Sequence, residues 1–151
     1  MNIFGFEDLT PEGQRILGEL EKLTKLEVAV GYTADQTYND GTSLAEVAAY
    51  NELGSSTTPP RPFIKQTLED KEDEIDAMKK DASQAVENGM SAENVLKEIG
   101  VKVKGIIQEG IVDGDWEPNA PSTIKRKGSS QPLIDTGHMR QSVNYVVRNR
   151  S

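Results

Sequence analysis

Three clusters in this chain carry side chains able to do chemistry. Glu72-Asp73-Glu74 with Asp76 supplies carboxylates, the donors that metal-dependent nucleases use to hold divalent cations. Lys125-Arg126-Lys127 supplies adjacent cations suited to phosphate. His138 supplies an imidazole that titrates near neutrality. Spacing argues against each as a catalytic centre. Carboxylates on neighbouring helical positions fan around the axis instead of converging on one ion, and Lys71, Lys79 and Lys80 beside them fit a solvated, ion-paired face. A three-residue basic run in a chain of pI 4.7 lacks the broad basic face of a nucleic-acid site, which favours a solvated loop or a docking contact to an acidic surface. His138 is the sole histidine, so no histidine pair can be assembled for catalysis or metal. Gly128-Ser129-Ser130 lacks the order of a phosphate loop, and no Gly-x-Ser-x-Gly elbow is present. The expectation is a protein that is not an enzyme and takes no metal or cofactor.

Two other groups read as constrained corners. In Pro60-Arg61-Pro62-Phe63 the prolines stiffen the backbone, Phe63 can anchor in a core, and Arg61 is held between them. A rigid arginine suits a fixed carboxylate or carbonyl contact, and equally an exposed position at a helix entry. In Pro132-Leu133-Ile134-Asp135-Thr136-Gly137 an apolar pair precedes a capping Asp135, and Gly137 permits close backbone approach. Contacts of Asp135 with Arg61 or Arg140 are compatible with these types.

These groups must be positioned by one domain, the expectation for 151 residues. Hydrophobic residues make up 35% of the chain and the mean hydropathy is -0.58, which implies a thin core and ordering of parts on partners. Cysteine is absent, which removes disulfides and thiolate metal sites. No apolar run approaches a membrane span, and the first ten residues do not read as a signal peptide. Charge is uneven. Residues 1–60 carry 10 acidic and 3 basic side chains, residues 61–115 carry 13 and 8, and residues 116–151 carry 2 and 6. An acidic body with a basic end suits head-to-tail association.

Thr10-Pro11-Glu12 starts a helix to about Leu23, and Leu26, Val28 and Val30 alternate as a strand ending at Gly31. Residues 35–42 form a polar loop expected to be mobile. Ser43 with Glu46 starts a short helix that Gly54 ends. A single charged helix is expected from Phe63 to Glu87, then an Asn88-Gly89 turn and a helix from Ser91 with Val95, Leu96, Ile99, Val103, Ile106 and Ile107 on one stripe. Residues 110–132 read as irregular. Asp135 or Thr136 starts a last short helix, and Val143, Tyr145 and Val147 alternate as a closing strand, with extra short strands possible near Tyr32–Tyr38. The class is α+β: a small antiparallel sheet packed with a long helical hairpin and short peripheral helices.

Taken in order, Tyr50-Asn51-Glu52-Leu53-Gly54, Pro60-Arg61-Pro62-Phe63 and the stretch from Trp116 to Val143 resemble the neck and tail-completion (virion-morphogenesis, head–tail joining) proteins of tailed bacteriophages and prophages. The resemblance spans most of residues 26–147. Thr123–Gly128 and Pro132–Arg140 carry it most clearly, and Leu53 and His138-Met139 depart from it. It implies a structural virion protein that joins a ring between the head connector or stopper and the tail terminator or tail tube. Such a protein is made in the host cytoplasm and resides in the particle neck, with DNA passing through the assembly and no sequence-specific nucleic-acid binding. The partner-binding residues would be Arg61, Phe63, Lys125, Arg126, Lys127, Asp135, Thr136, Gly137 and Arg140. A tail terminator is the alternative within this class, and a nucleic-acid-binding regulator the alternative outside it.

Overall fold

Local signals start and stop most of the helices in the computed structural model, which describes residues 9–57, 59–113 and 137–151. Helix α1 (Pro11–Lys25) begins where Thr10 Oγ1 accepts the Gly13 N–H at 3.0 Å, with Pro11 at the position that needs no donor. It runs directly into strand β1 (Leu26–Gly31). Helix α2 (Leu44–Leu53) is capped by Ser43 and ends at Gly54, whose φ of 75° only glycine adopts freely. Helices α3 (Phe63–Asp70), α4 (Glu72–Glu87) and α5 (Ala92–Asp113) follow, then a short α6 (His138–Gln141) and strand β2 (Asn144–Asn149). The class is α+β, a two-stranded antiparallel sheet on a long helix.

The turn between α4 and α5 closes with paired bonds from Gly89 N–H to Val86 O and from Met90 N–H to Ala85 O, both 3.0 Å. That is the Schellman pattern, and Gly89 at φ 113° allows it. Ser91 then caps α5 through the Asn94 N–H at 3.2 Å. Two charged residues of α1 grip this turn from outside. Arg15 donates to Val86 O at 2.7 Å, at the negative end of α4. Glu19 accepts the Ala92 N–H at 2.8 Å, at the positive end of α5. That bond, helped by Lys22, holds the Glu19 carboxyl below its ordinary value.

Three sequence expectations are corrected. The helix expected over Phe63–Glu87 breaks at Lys71, which leaves helical geometry at φ -108°. Glu72, Asp73 and Glu74 just beyond occupy the first turn of a new helix, where carboxylates are stabilised by the helix dipole. Conversely, Gly110 does not end α5, which continues to Asp113 and fully buries Ile111. The extra strands expected near Tyr32–Tyr38 do not form among the described residues, where the sheet has two strands. A single Thr37–Ser43 bridge and bonds such as Tyr38 N–H to Thr42 O at 2.9 Å fold the loop over residues 35–42 on itself.

The strands pair from Leu26–Asn149 to Gly31–Asn144, so Val28, Val30, Tyr145 and Val147 share one face. That face lies on α5, while α3 packs elsewhere on the same helix. The core gathers Leu44, Phe63, Val103, Ile107, Met139 and Val143 around α5. Both approaches depend on glycines. A Cβ on Gly100 would collide with the Tyr145 ring, and one on Gly110 with Thr67. Gly105 between them faces open space.

Gly100→Ala and Gly110→Ala should therefore each destabilise by about 1–3 kcal/mol in urea unfolding, as overpacking does. Gly105→Ala should stabilise by about 0.5–1 kcal/mol, because alanine favours the helix and meets nothing. The reverse ranking would refute this packing.

Glu19 contributes a pH-dependent part of stability. Its carboxyl titrates lower in the fold than in the unfolded chain, so its contribution is complete above the ordinary value of 4.5 and is lost as pH falls through the folded value. Glu19→Gln should be less stable than the parent near neutral pH, and the gap should close in acid. A gap independent of pH would assign the loss to packing.

Candidate functional site

The blocks Tyr50–Gly54 and Pro60–Phe63 meet in one joint. Helix α3 starts at Phe63 behind Pro62, which supplies no side-chain cap. Glu52 of α2 supplies it instead. One carboxylate oxygen accepts the Ile64 N–H at 3.0 Å and the other the Lys65 N–H at 2.8 Å. The Phe63 N–H reaches Arg61 O at 2.7 Å and the Gln66 N–H reaches Pro62 O at 2.8 Å, so the opening turn of α3 is satisfied. A carboxylate at this end is also stabilised by the helix dipole.

Asn51 holds the other side of the joint. Its carbonyl accepts the Arg61 N–H, its side-chain oxygen lies 3.5 Å from Arg61 Nη1, and its amide donates to Val47 O at 2.9 Å. Arg61 is only 8% exposed and Phe63 is fully buried. The reading of Arg61 as an exposed helix-entry arginine is thereby corrected, and Phe63 offers no surface to a partner. Both are internal because the proline-flanked turn is folded against α2. The Phe63 ring packs tilted on Tyr32 at 6.4 Å between centroids.

A second arrangement pins α6. A helix of four residues leaves its last carbonyls without internal donors. Three side chains from elsewhere supply them: Tyr32 Oη to Met139 O at 2.9 Å, Gln108 Nε2 to Arg140 O at 3.0 Å and Gln36 Nε2 to Ser142 O at 2.9 Å. Burial pushes the Tyr32 phenol well above its ordinary range, which keeps it a donor. Met139 is buried, Arg140 is exposed, and His138 sets its ring edge-on to Tyr38 at 5.2 Å. Gly137 caps α6 at φ 74°. A Cβ there would meet only ordinary contact, so its conformation and not close approach calls for glycine.

Of the residues assigned to partner binding, Arg61 and Phe63 thus lie in the joint, and Gly137 and Arg140 at α6. Lys125, Arg126, Lys127, Asp135 and Thr136 lie outside the described residues, as do the contacts considered for Asp135. Glu72, Asp73, Glu74 and Asp76 are exposed on α4, and no cluster among the described residues has the make-up of a metal site. Glu52, Tyr32, Gln36 and Gln108 escaped the sequence reading. Each bonds a backbone group at least twelve residues away, so no local spacing marks it.

The last turn of α2 is unusual in the opposite sense. Its polar Asn51 and Glu52 turn to the joint, while Tyr50 and Leu53 stand 59% and 79% exposed. No family model, curated protein or solved structure matches the chain.

Glu52→Ala should cost about 1–3 kcal/mol, since it strands two helix N–H groups and removes a charge-assisted cap. Urea unfolding measures the loss, and amide exchange should accelerate first at Ile64 and Lys65. A cost under about 0.5 kcal/mol would mean that water replaces the cap without penalty.

Proposed function

We propose that this chain is a structural virion protein of a tailed phage or prophage, a neck or tail-completion protein that joins the head connector to the tail by entering a ring. The observation that carries the reading is the side-chain placement in the last turn of α2, since the rest of that helix buries Leu44 and Ala48 and exposes Glu46 in the ordinary way. A surface helix ordinarily turns its polar side chains outward. Here the family-like block turns them inward to build the joint and leaves Tyr50 and Leu53 at the surface. Two large apolar side chains exposed side by side, one turn apart on a rigid helix, suit a protein–protein contact.

The partner for this face is a neighbouring copy in the ring. Helix α2 exposes Glu46 and carries no cation, whereas residues 116–151 carry 6 basic and 2 acidic side chains. Acidic and basic surfaces on one chain favour head-to-tail contact, which closes into a ring when the rotation permits. Arg140, exposed on the pinned α6, belongs to the basic side. The protein acts in the host cytoplasm during assembly and then in the neck of the particle.

Deletion of the gene from the phage or prophage that encodes it should yield filled heads and separate tails, and expression in trans should restore joined particles. Leu53→Asp and Arg140→Ala should keep stability within about 0.5 kcal/mol, as exposed substitutions do, yet fail to restore joining. Electron microscopy of lysates and urea unfolding of each variant read both quantities. Joined particles after deletion would overturn the proposal.

A further inference from the structure

Strand β2 covers one edge of β1, and no other strand of the described residues pairs with β1. Helices α3 and α4 pack on α5 and leave a groove of about 830 Å³ beside β1. Val28 and Val30 form one wall, Ile99 and Val103 the floor, and Leu68 and Ile75 the far wall. Glu69, Glu72, Asp76 and Lys79 line the rim, three carboxylates against one ammonium.

A strand edge beside an apolar floor is complementary to one more strand. Backbone groups of the incoming segment would meet the open edge of β1. Its alternate side chains would point down onto Ile99 and Val103, and the others up toward the rim. The acidic rim favours cations at those upper positions.

The geometry points to strand addition at β1 by an extended segment of a partner protein, apolar at every second residue and basic between. Because the groove belongs to the isolated chain, the test needs purified protein alone and does not depend on the assembly role proposed above.

The probe is a labelled peptide Lys-Val-Lys-Val-Lys-Val-Lys, with Lys-Gly-Lys-Gly-Lys-Gly-Lys as the charge control. The valine peptide should bind at least about tenfold more tightly than the glycine peptide and should slow amide exchange in residues 27–30. Glu72→Lys with Asp76→Lys, both on the exposed rim, should weaken it by about tenfold or more. Equal binding of the two peptides would reduce the site to non-specific charge attraction and overturn the proposal. So would absence of binding, or protection confined to other elements. A third peptide covers residues 121–128 of this chain, which contain its only basic run. Tighter binding of that peptide at β1 would overturn the assignment to a different protein and give the groove to a second copy.

Discussion

Helix α5 can lie close to the sheet and to α3 only because Gly100 and Gly110 present no side chains at the two contacts. The rest of the architecture follows from that constraint. Two strands alone are at best marginally stable in water, so β1 and β2 persist because Val28 and Tyr145 pack onto α5 at Gly100. The contact of Thr67 with Gly110 sets the height of α3 on the same helix. The height of α3 in turn places Phe63 in the core and brings its first turn within reach of Glu52.

A chain with 35% hydrophobic residues has a limited apolar core, and polar side chains take over part of the work of fixing its elements. They do so at helix ends, where unsatisfied backbone groups and dipole charge make a bond to a charged group strongest. Arg15 and Glu19 hold the two ends that meet in the α4–α5 turn, and Glu52 holds the start of α3. The same logic without charge applies at α6, where Tyr32, Gln36 and Gln108 take the terminal carbonyls. Four residues could not sustain a helix by propensity. The clasp, together with burial of Met139, keeps it helical and keeps Arg140 on the surface.

What was legible in the sequence is what local chemistry decides. Thr10-Pro11, Ser43, Gly54 and Asn88-Gly89 mark helix ends correctly because a cap or a turn needs only its own neighbours. The stripe of α5 reads correctly because burial of one face imposes a period. The break at Lys71 was not legible, since its neighbours form helix well on either side. The continuation of α5 through Gly110 was not legible, because sequence does not distinguish a glycine that ends a helix from one that admits Thr67. At the candidate site the rigidity of the Pro60–Phe63 turn was readable. The burial of Arg61 was not, because it depends on Asn51 and on how α2 meets α3.

The joint also changes where an interaction surface should be sought. A residue can be required by the fold itself without touching a partner. Asn51, Glu52, Arg61 and Phe63 are accounted for by the way α2 launches α3, so their presence needs no partner. Tyr50 and Leu53 are not accounted for in this way, because the fold gains little from apolar side chains left in water. The block therefore separates into an inward half that builds the body and an outward half whose chemistry suits contact. The rigidity of the first benefits the second: an apolar pair on a helix locked to its neighbour loses little conformational freedom on docking, so more of its buried area appears as affinity.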